Sequence, residues 1–199
     1  MKIGVLAVQG AFIEHIKMLS LLSNQINEQI ECVELRQKSD LEGIDGIILP
    51  GGESTVQGQL LKKLDMFDEI KSKIENGLPV LATCAGLILL SGNLENDSVR
   101  HLGTLPVTTR RNAYGRQLGS FKVDANIGEI KDYPMVFIRA PFITEVSEDA
   151  KPLATVDGNI VAAECGNQIA LAFHPEMTED TRIHNYFIDI VRRNRSATA

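Results

Sequence analysis

The chain has 199 residues, of which 44% are hydrophobic and 23% are charged, and its formal net charge is −6 at pH 7. This length fits one α/β domain that buries most of its unfolded surface, so its stability requires neither a disulfide nor a metal. The negative charge argues against a nucleic-acid partner, because phosphate binding needs a basic face. We therefore expect a single domain over residues 1–199.

Signals for export or membrane insertion are missing from the sequence. The first residues, MKIGVLAVQG, lack the longer apolar region and the small-residue cleavage site of a signal peptide. No stretch reaches the roughly 18 uninterrupted apolar residues of a membrane span. The three cysteines, Cys32, Cys84 and Cys165, have no CxxC spacing, which favours a reducing compartment over a disulfide framework. We expect a cytoplasmic protein with no membrane partner.

The first ninety residues alternate between strand and helix patterns. Apolar runs predict strands at 2–8, 30–35, 46–49 and 79–83. Helical spacing covers 11–23 and about 56–75, with a break near Leu64 and Asp65. This alternation predicts a flavodoxin-like α/β fold, in which helices cover both faces of a parallel or mixed sheet.

From about Thr104 to Phe173 the chain shows short strand patterns instead. LPVTT, QLGSFKV, MVFIRA, ATVDG, IVAAECG and IALAFH are mostly separated by glycine, asparagine or aspartate turn signals, and 156–163 predicts a hairpin. A last helix is predicted over 179–193, with Thr178 as its N-cap. The second half therefore adds short strands to the sheet.

Cys84 is the best candidate nucleophile. It directly follows the strand PVLAT and precedes the helix-like run AGLILLS, which is the strand–turn–helix context of a nucleophile elbow. The small residues Ala82 and Gly86 give the pattern A-x-C-x-G, where many elbows begin with glycine. The alternative is an inert, buried cysteine at a strand end, and inertness is the favoured interpretation for Cys32 and Cys165.

A thiol nucleophile needs a base, and His174 is the candidate among the four histidines. It follows the apolar run IALAF, so it lies at a strand end as Cys84 does, and Glu176 is placed to orient its imidazole as a third triad member. By itself, His-Pro-Glu is equally compatible with a solvated loop. The other three are His15 on the polar face of the first helix, His101 in a polar loop and His184 on the last helix.

The segment PGGES follows the third predicted strand, at the sheet edge where α/β proteins bind ligands. Glycine lets a backbone N–H approach a ligand, so one of these N–H groups and that of Ala85 are candidates for an oxyanion hole. A tight turn in which Ser54 caps the next helix is the alternative. A phosphate-binding loop is less favoured, because the lysine of a P-loop is missing.

In this order, the GGES loop, the TCAG elbow and the HPE segment resemble class I, triad-type glutamine amidotransferases. VQGAFIEH, LPGGEST, TCAGLILL, RNAYGRQLGSF, FIRAP and AFHPEMTED further resemble the glutaminase subunits of pyridoxal 5'-phosphate synthases. These six blocks run from Val8 to Asp180, almost the whole chain. Ala82 in the elbow and Val56 after GGEST are mild departures that remove no functional group.

The resemblance implies that the chain hydrolyses L-glutamine to L-glutamate and ammonia through a triad of Cys84, His174 and Glu176. It implies an oxyanion hole made by the N–H groups of Gly52 and Ala85. The implied glutamine-binding residues are Gly52, Glu53, Ser54, Arg111, Ile138 and Arg139. An arginine suits the α-carboxylate of a ligand, because its planar fork makes two parallel hydrogen bonds.

The resemblance also implies a partner, a separate synthase subunit that receives the ammonia and makes pyridoxal 5'-phosphate. The chain itself is expected to hold no cofactor, because no lysine stands in a Schiff-base motif. The Gln9-Gly10 loop is expected at the same sheet edge as the GGES loop. We therefore expect partner docking near Gln9 to set the oxyanion hole.

Three other interpretations stay open. An amidotransferase that serves another synthase would share the triad, but it would not be expected to keep IRAP and the RNxxGRQ segment. A flavodoxin-like cysteine stress protein or redox sensor leaves the HPE segment and the GGES loop without a role. A non-enzymatic subunit with a dead site would have no need for an intact triad.

Overall fold

The computed structural model describes residues 1–95, 97–111 and 119–198. In that part of the chain, strands β1 to β6 span Lys2–Leu6, Glu31–Leu35, Gly46–Leu49, Val80–Thr83, Ser91–Leu94 and Leu105–Arg110. Strands β7 to β12 span Ser120–Ile127, Ile130–Ile138, Phe142–Val146, Lys151–Val156, Asn159–Cys165 and Gln168–Leu171. Helices α1 to α5 span Phe12–Ile26, Ser54–Lys63, Phe67–Glu75, Ala85–Leu90 and Arg182–Thr198. Two 3-10 turns cover Lys38–Leu41 and Pro175–Met177.

The main sheet has ten strands in the order β2-β1-β3-β4-β12-β11-β9-β6-β5, with β10 paired to β11. The five strands from β2 to β12 run parallel, and antiparallel pairs begin at β11. The central strands β3 and β4 are fully buried, which is why they consist of apolar runs. The predicted α/β fold with a mixed sheet is confirmed.

The ends of three central strands meet at one edge of this sheet. The register pairs Leu49 with Ala82, and Thr83 with Leu171. The loops that follow β3, β4 and β12 therefore leave the sheet side by side. These loops carry PGGES, Cys84 and the HPE segment.

A second sheet pairs β7 with β8 in antiparallel fashion and covers the segment that carries His174. Tyr133 and Phe137 on β8 are buried and lie with their ring centroids 6.1 and 5.7 Å from that of Phe173. The backbone N–H of His174 donates to the carbonyl of Val136 at 2.8 Å. This sheet thus fixes the backbone at the end of β12.

The predicted elements of the first half are confirmed, including the helix break before Phe67 and the hairpin of β10 and β11. Strands β5 and β9 were not predicted. Residues 112–118, which include much of the RNAYGRQLGSF segment, lie outside the described residues. No helix in the described part of the chain is long and apolar enough to cross a membrane.

The predicted start of the last helix is wrong. Helix α5 begins at Arg182, and Thr178 ends the preceding 3-10 turn instead of capping the helix. The Thr178 hydroxyl accepts a hydrogen bond from the N–H of Asp180 at 3.3 Å, and the Asp180 carbonyl accepts one from the Tyr133 hydroxyl at 3.1 Å. These bonds hold the residues before Arg182 in a loop.

Candidate active site

Cys84 occupies a strained turn between β4 and α4. Its backbone has φ 49° and ψ −97°, a region that side-chain-bearing residues rarely adopt and that is typical of functional sites. The N–H of Cys84 donates to the carbonyl of Leu171 at 2.7 Å, which anchors the turn to β12. At Gly86 a Cβ would lie 2.1 Å from the carbonyl oxygen of Leu49, so only glycine lets α4 pack this closely. The predicted elbow is therefore present.

His174 and Glu176 form a buried pair beside Cys84. His174 Nδ1 lies 2.7 Å from Glu176 Oε1, and the imidazole also makes a hydrogen bond with the Cys84 side chain. Burial lowers the pKa of His174, but the hydrogen bonds with Cys84 and Glu176 outweigh burial and raise that pKa to about 10. Burial raises the pKa of Glu176, yet the imidazoles of His15 and His174 that face it lower the pKa on balance. These hydrogen bonds thus favour the protonated form of the imidazole, the form that arises when His174 takes up a proton.

The glycine loop after β3 is tied to two neighbouring segments. The N–H of Gly51 donates to Thr83 Oγ1 at 2.9 Å, and the carbonyl of Gly51 accepts from the N–H of Ala11 at 2.9 Å. Because a peptide unit is planar, the second bond also fixes the direction of the N–H of Gly52. The loop before α1 thereby controls how Gly52 faces the site.

A cleft of about 410 Å³ opens in front of Cys84. It brings together every site residue predicted from the sequence except Glu176, which lies behind His174. Its lining residues are Gln9, Gly52, Glu53, Ser54, Cys84, Ala85, Ile88, Arg111, Ile138, Arg139, Pro141 and His174. A larger cavity of about 570 Å³ lies between α1, β8 and α5, and the described residues that line it include neither a cysteine nor a histidine.

Arg111 is held at the cleft wall by several acceptors. Its guanidinium donates to Glu53, Ser54 and Thr55 at 3.0–3.2 Å, and to Asp97 at 3.0 Å. Glu53 also caps α2, accepting from the N–H groups of Thr55 and Val56. The alternative in which Ser54 caps this helix is therefore wrong, since Ser54 is the first helical residue.

Ile138 and Arg139 also line the cleft, at the end of β8. Arg139 has φ 44°, and its N–H donates to the carbonyl of Gly119 at 2.6 Å. A second strained residue thus faces the same cleft as Cys84. This conformation lets the backbone turn at the end of β8, two residues before Pro141, which also borders the cleft.

The side chain of Gln9 makes a contact that the sequence did not indicate. Gln9 Oε1 accepts from the N–H of Glu53 at 2.9 Å, so its side chain joins the loop after β1 to the glycine loop.

Two histidines lie away from their expected positions. His15 was expected on the polar face of α1, but its side chain is completely buried and lies against His184. His101 is also buried, at 7% exposure, despite its polar loop. For His15, the neighbouring imidazole of His184 makes a polar position compatible with the core, and sequence periodicity does not indicate this contact.

Known proteins resemble this chain over almost its whole length. The model of the SNO glutamine amidotransferase family matches residues 5–193. The pyridoxal 5'-phosphate synthase subunit PdxT of Desulfitobacterium hafniense (strain DSM 10664 / DCB-2) is 55% identical over 197 residues, which cover 98% of this chain and 96% of that protein. The protein of the same name from Methanocorpusculum labreanum is 53% identical over 192 residues, covering 96% of this chain and 98% of that protein.

Solved structures show the same fold. A crystal structure described as a glutamine amidotransferase superposes with a TM-score of 0.88 at 39% identity, covering 95% of this chain and 98% of that chain. A glutamine amidotransferase from Thermotoga maritima gives a TM-score of 0.61 at 16% identity, covering 98% of this chain and 85% of that chain. The second similarity concerns the fold alone.

Proposed function

The chain belongs to the SNO glutamine amidotransferase family, and from this premise we propose that Cys84 attacks the side-chain amide of L-glutamine. The hydrogen-bonded series Cys84–His174–Glu176, at the ends of adjacent parallel strands and beside an open cleft, is the observation that carries the proposal. A thiol, an imidazole that moves its proton and a carboxylate that orients the imidazole are the groups that thiol-dependent amide hydrolysis needs.

The reaction has two halves. In the first, the Cys84 sulfur bonds to the amide carbon, the thiol proton passes to His174, and the tetrahedral oxyanion collapses to a thioester. The leaving nitrogen takes the proton from His174 and departs as ammonia. In the second half, His174 accepts a proton from water, the hydroxide attacks the thioester carbon, and the sulfur leaves with that proton. The products are L-glutamate and the original thiol.

The oxyanion is held by the backbone N–H groups of Gly52 and Ala85. Ala85 is the first residue of α4, where an N–H has no partner within the helix. Gly52 receives its orientation from the bond between the Gly51 carbonyl and the N–H of Ala11. Since Ala11 follows Gln9 and Gly10, a partner that docks on this loop sets the second donor. The isolated chain is therefore expected to be a slow glutaminase.

The rest of the substrate lies along the cleft walls. Gly52, Glu53 and Ser54 line the cleft with Arg111, and Ile138 and Arg139 line it at the end of β8. An arginine fork pairs with the α-carboxylate of glutamine, and the bonds of Arg111 to Glu53 and Ser54 hold its guanidinium at the N-terminus of α2. A carboxylate such as that of Glu53 suits the α-ammonium group.

The proposed partner and pathway are supported by relatives that are named pyridoxal 5'-phosphate synthase subunits. The chain delivers its ammonia to a synthase subunit that makes pyridoxal 5'-phosphate, so it works in vitamin B6 biosynthesis. The whole chain acts as one glutaminase domain, which is supported by a single core cluster that extends from Ile3 to Val191. A cytoplasmic location is supported by three free cysteines, which persist in a reducing compartment.

Glutamate release from L-glutamine tests this proposal, with the synthase subunit present and absent. The wild type should release glutamate, faster with the partner, and Cys84→Ala should release none. Cys32→Ala is the matched control and should keep the wild-type rate, because Cys32 lies in β2, away from the cleft. Equal rates in Cys84→Ala and the wild type would refute the assignment of the nucleophile.

A further inference from the structure

Two completely buried histidines lie behind the triad, one on α1 and one on α5. His15 Nδ1 is 3.0 Å from His184 Nε2, and their ring centroids are 5.3 Å apart. The proposed mechanism uses neither residue. Two imidazoles in a core require a reason, because buried polar groups need partners to offset their lost hydration.

The second nitrogen of His15 points at the catalytic machinery. His15 Nε2 lies 3.2 Å from Thr83 Oγ1 and 3.4 Å from Glu176 Oε2. Glu176 Oε1 accepts from His174, whereas Oε2 is buried and has no hydrogen-bond partner among the described residues. His15 Nε2, at 3.4 Å, is close enough to interact with this oxygen when it carries a hydrogen.

The positions of the ring hydrogens of His15 and His184 follow from the surroundings of His184. His184 Nδ1 is buried without a partner in the described ranges. An orphaned N–H is rarer in proteins than an orphaned acceptor, so this nitrogen carries no hydrogen. His184 then donates from Nε2 to His15 Nδ1, and His15 must carry its hydrogen on Nε2. The opposite assignment would aim a bare nitrogen at a carboxylate oxygen.

We propose that His15 is a positioning residue for glutamine hydrolysis: with its tautomer fixed by His184, it holds the second oxygen of Glu176 and so orients His174 toward Cys84. This inference rests on the proposed glutaminase function. His15 also touches Thr83, whose hydroxyl holds the N–H of Gly51. One imidazole thus joins the triad carboxylate to the loop that carries the oxyanion donor.

His15 acts as a neutral donor. The ionisable groups that face it are Glu14 on α1, His174 and Glu176 after β12, and His184 on α5. Burial lowers the pKa of His15, and burial together with the neighbouring His15 lowers the pKa of His184 well below the usual value. The pH dependence of the reaction should therefore come from Glu176 and His174, with His15 modulating it.

Steady-state kinetics of His15→Leu, with the synthase subunit present, test the role. We expect kcat to fall about 10–100-fold with KM within about twofold, as for other residues that orient a catalytic group. The acid limb of the kcat profile should move up by about one pH unit, because Glu176 loses a donor to its charged form. His15→Gln, which restores an N–H, should recover most of kcat.

Ile70→Ala is the control for general destabilisation, because Ile70 is completely buried on α3. It should leave the acid limb unchanged. A folded His15→Leu variant with wild-type kcat and acid limb would overturn the inference while the proposed function stands. A wild type that releases no glutamate would instead overturn the proposed function.

A second measurement needs no substitution. Nitrogen NMR shifts of wild-type protein labelled at histidine report each imidazole tautomer. Both His15 and His184 should be neutral at pH 7 with the hydrogen on Nε2. A hydrogen on Nδ1 of His15, or a charged His15, would overturn the inference even if His15→Leu does not fold.

Discussion

Replacing Gly10 with alanine should disable the oxyanion hole without touching the triad. Gly10 has φ 102°, and a Cβ there would lie 2.0 Å from the carbonyl oxygen of Gly51. Real Cβ atoms stay at least 3.0 Å from such an oxygen, so the carbonyl must move by about 1 Å. Because the peptide is planar, the N–H of Gly52 turns with this carbonyl.

The size of the effect follows from the loss of one donor. Removing one oxyanion-hole hydrogen bond lowers kcat about 10²–10³-fold, equivalent to roughly 2.7–4 kcal/mol of transition-state stabilisation. We expect this loss in Gly10→Ala, measured as glutamate release at saturating glutamine and synthase subunit. KM should change little, since the ground-state amide uses this donor weakly.

Gly158→Ala is the matched control, because Gly158 also has a positive φ, 78°, but apart from its chain neighbours no described residue has an atom within 4 Å of the added Cβ. Both substitutions carry the backbone strain of alanine at positive φ, about 1–2 kcal/mol. Only Gly10→Ala should lose kcat. A folded Gly10→Ala protein with the kcat of Gly158→Ala would refute the coupling between this loop and the oxyanion hole.

Two further outcomes are expected. Burial lowers the pKa of His174, but its hydrogen bonds to Cys84 and Glu176 raise that pKa to about 10. The protonated imidazole therefore stabilises the fold fully below about pH 6.5, and this stabilisation is lost as the pH rises through about 10. Urea unfolding across that range should show a falling free energy of unfolding, and His174→Gln should flatten the slope; an equal slope in both proteins would contradict the pairing. Arg111→Lys keeps the charge but loses the guanidinium fork that contacts Asp97 and Ser54. The KM for glutamine should therefore rise about tenfold, with kcat little changed. An unchanged KM would show that Arg111 does not bind the substrate.

Much of the site was predictable because its signals are local. The strand PVLAT followed by Cys84 and two small neighbours defines an elbow within a few residues, and the strained φ of Cys84 agrees with it. The parallel order of the first strands brings PGGES and His174 to the same edge by topology alone. These inferences need only the chain order and the position of each strand end.

What escaped prediction depends on contacts between distant segments. His15 has charged residues nearby in sequence, so its helical position looks polar. Its burial is explained by contacts with distant residues, namely Thr83, Glu176 and, across 169 positions, His184. The start of α5 was misplaced because Thr178 and Glu179 resemble a helix N-terminus, whereas Tyr133 of the second sheet holds Asp180 in a loop. Strand β9 depends on pairing with β6 and β11, which no local pattern encodes.

The most direct test of the mechanism is covalent capture of the nucleophile. An L-glutamine analogue with an electrophilic diazoketone in place of the amide should alkylate the thiol that attacks glutamine, and peptide mass spectrometry locates the adduct. We expect one adduct per chain, on Cys84, prevented by excess L-glutamine. Cys32 should stay unmodified, because burial raises its pKa to about 11. Modification of Cys32 or Cys165 with Cys84 untouched, or labelling that glutamine does not prevent, would contradict the proposed mechanism.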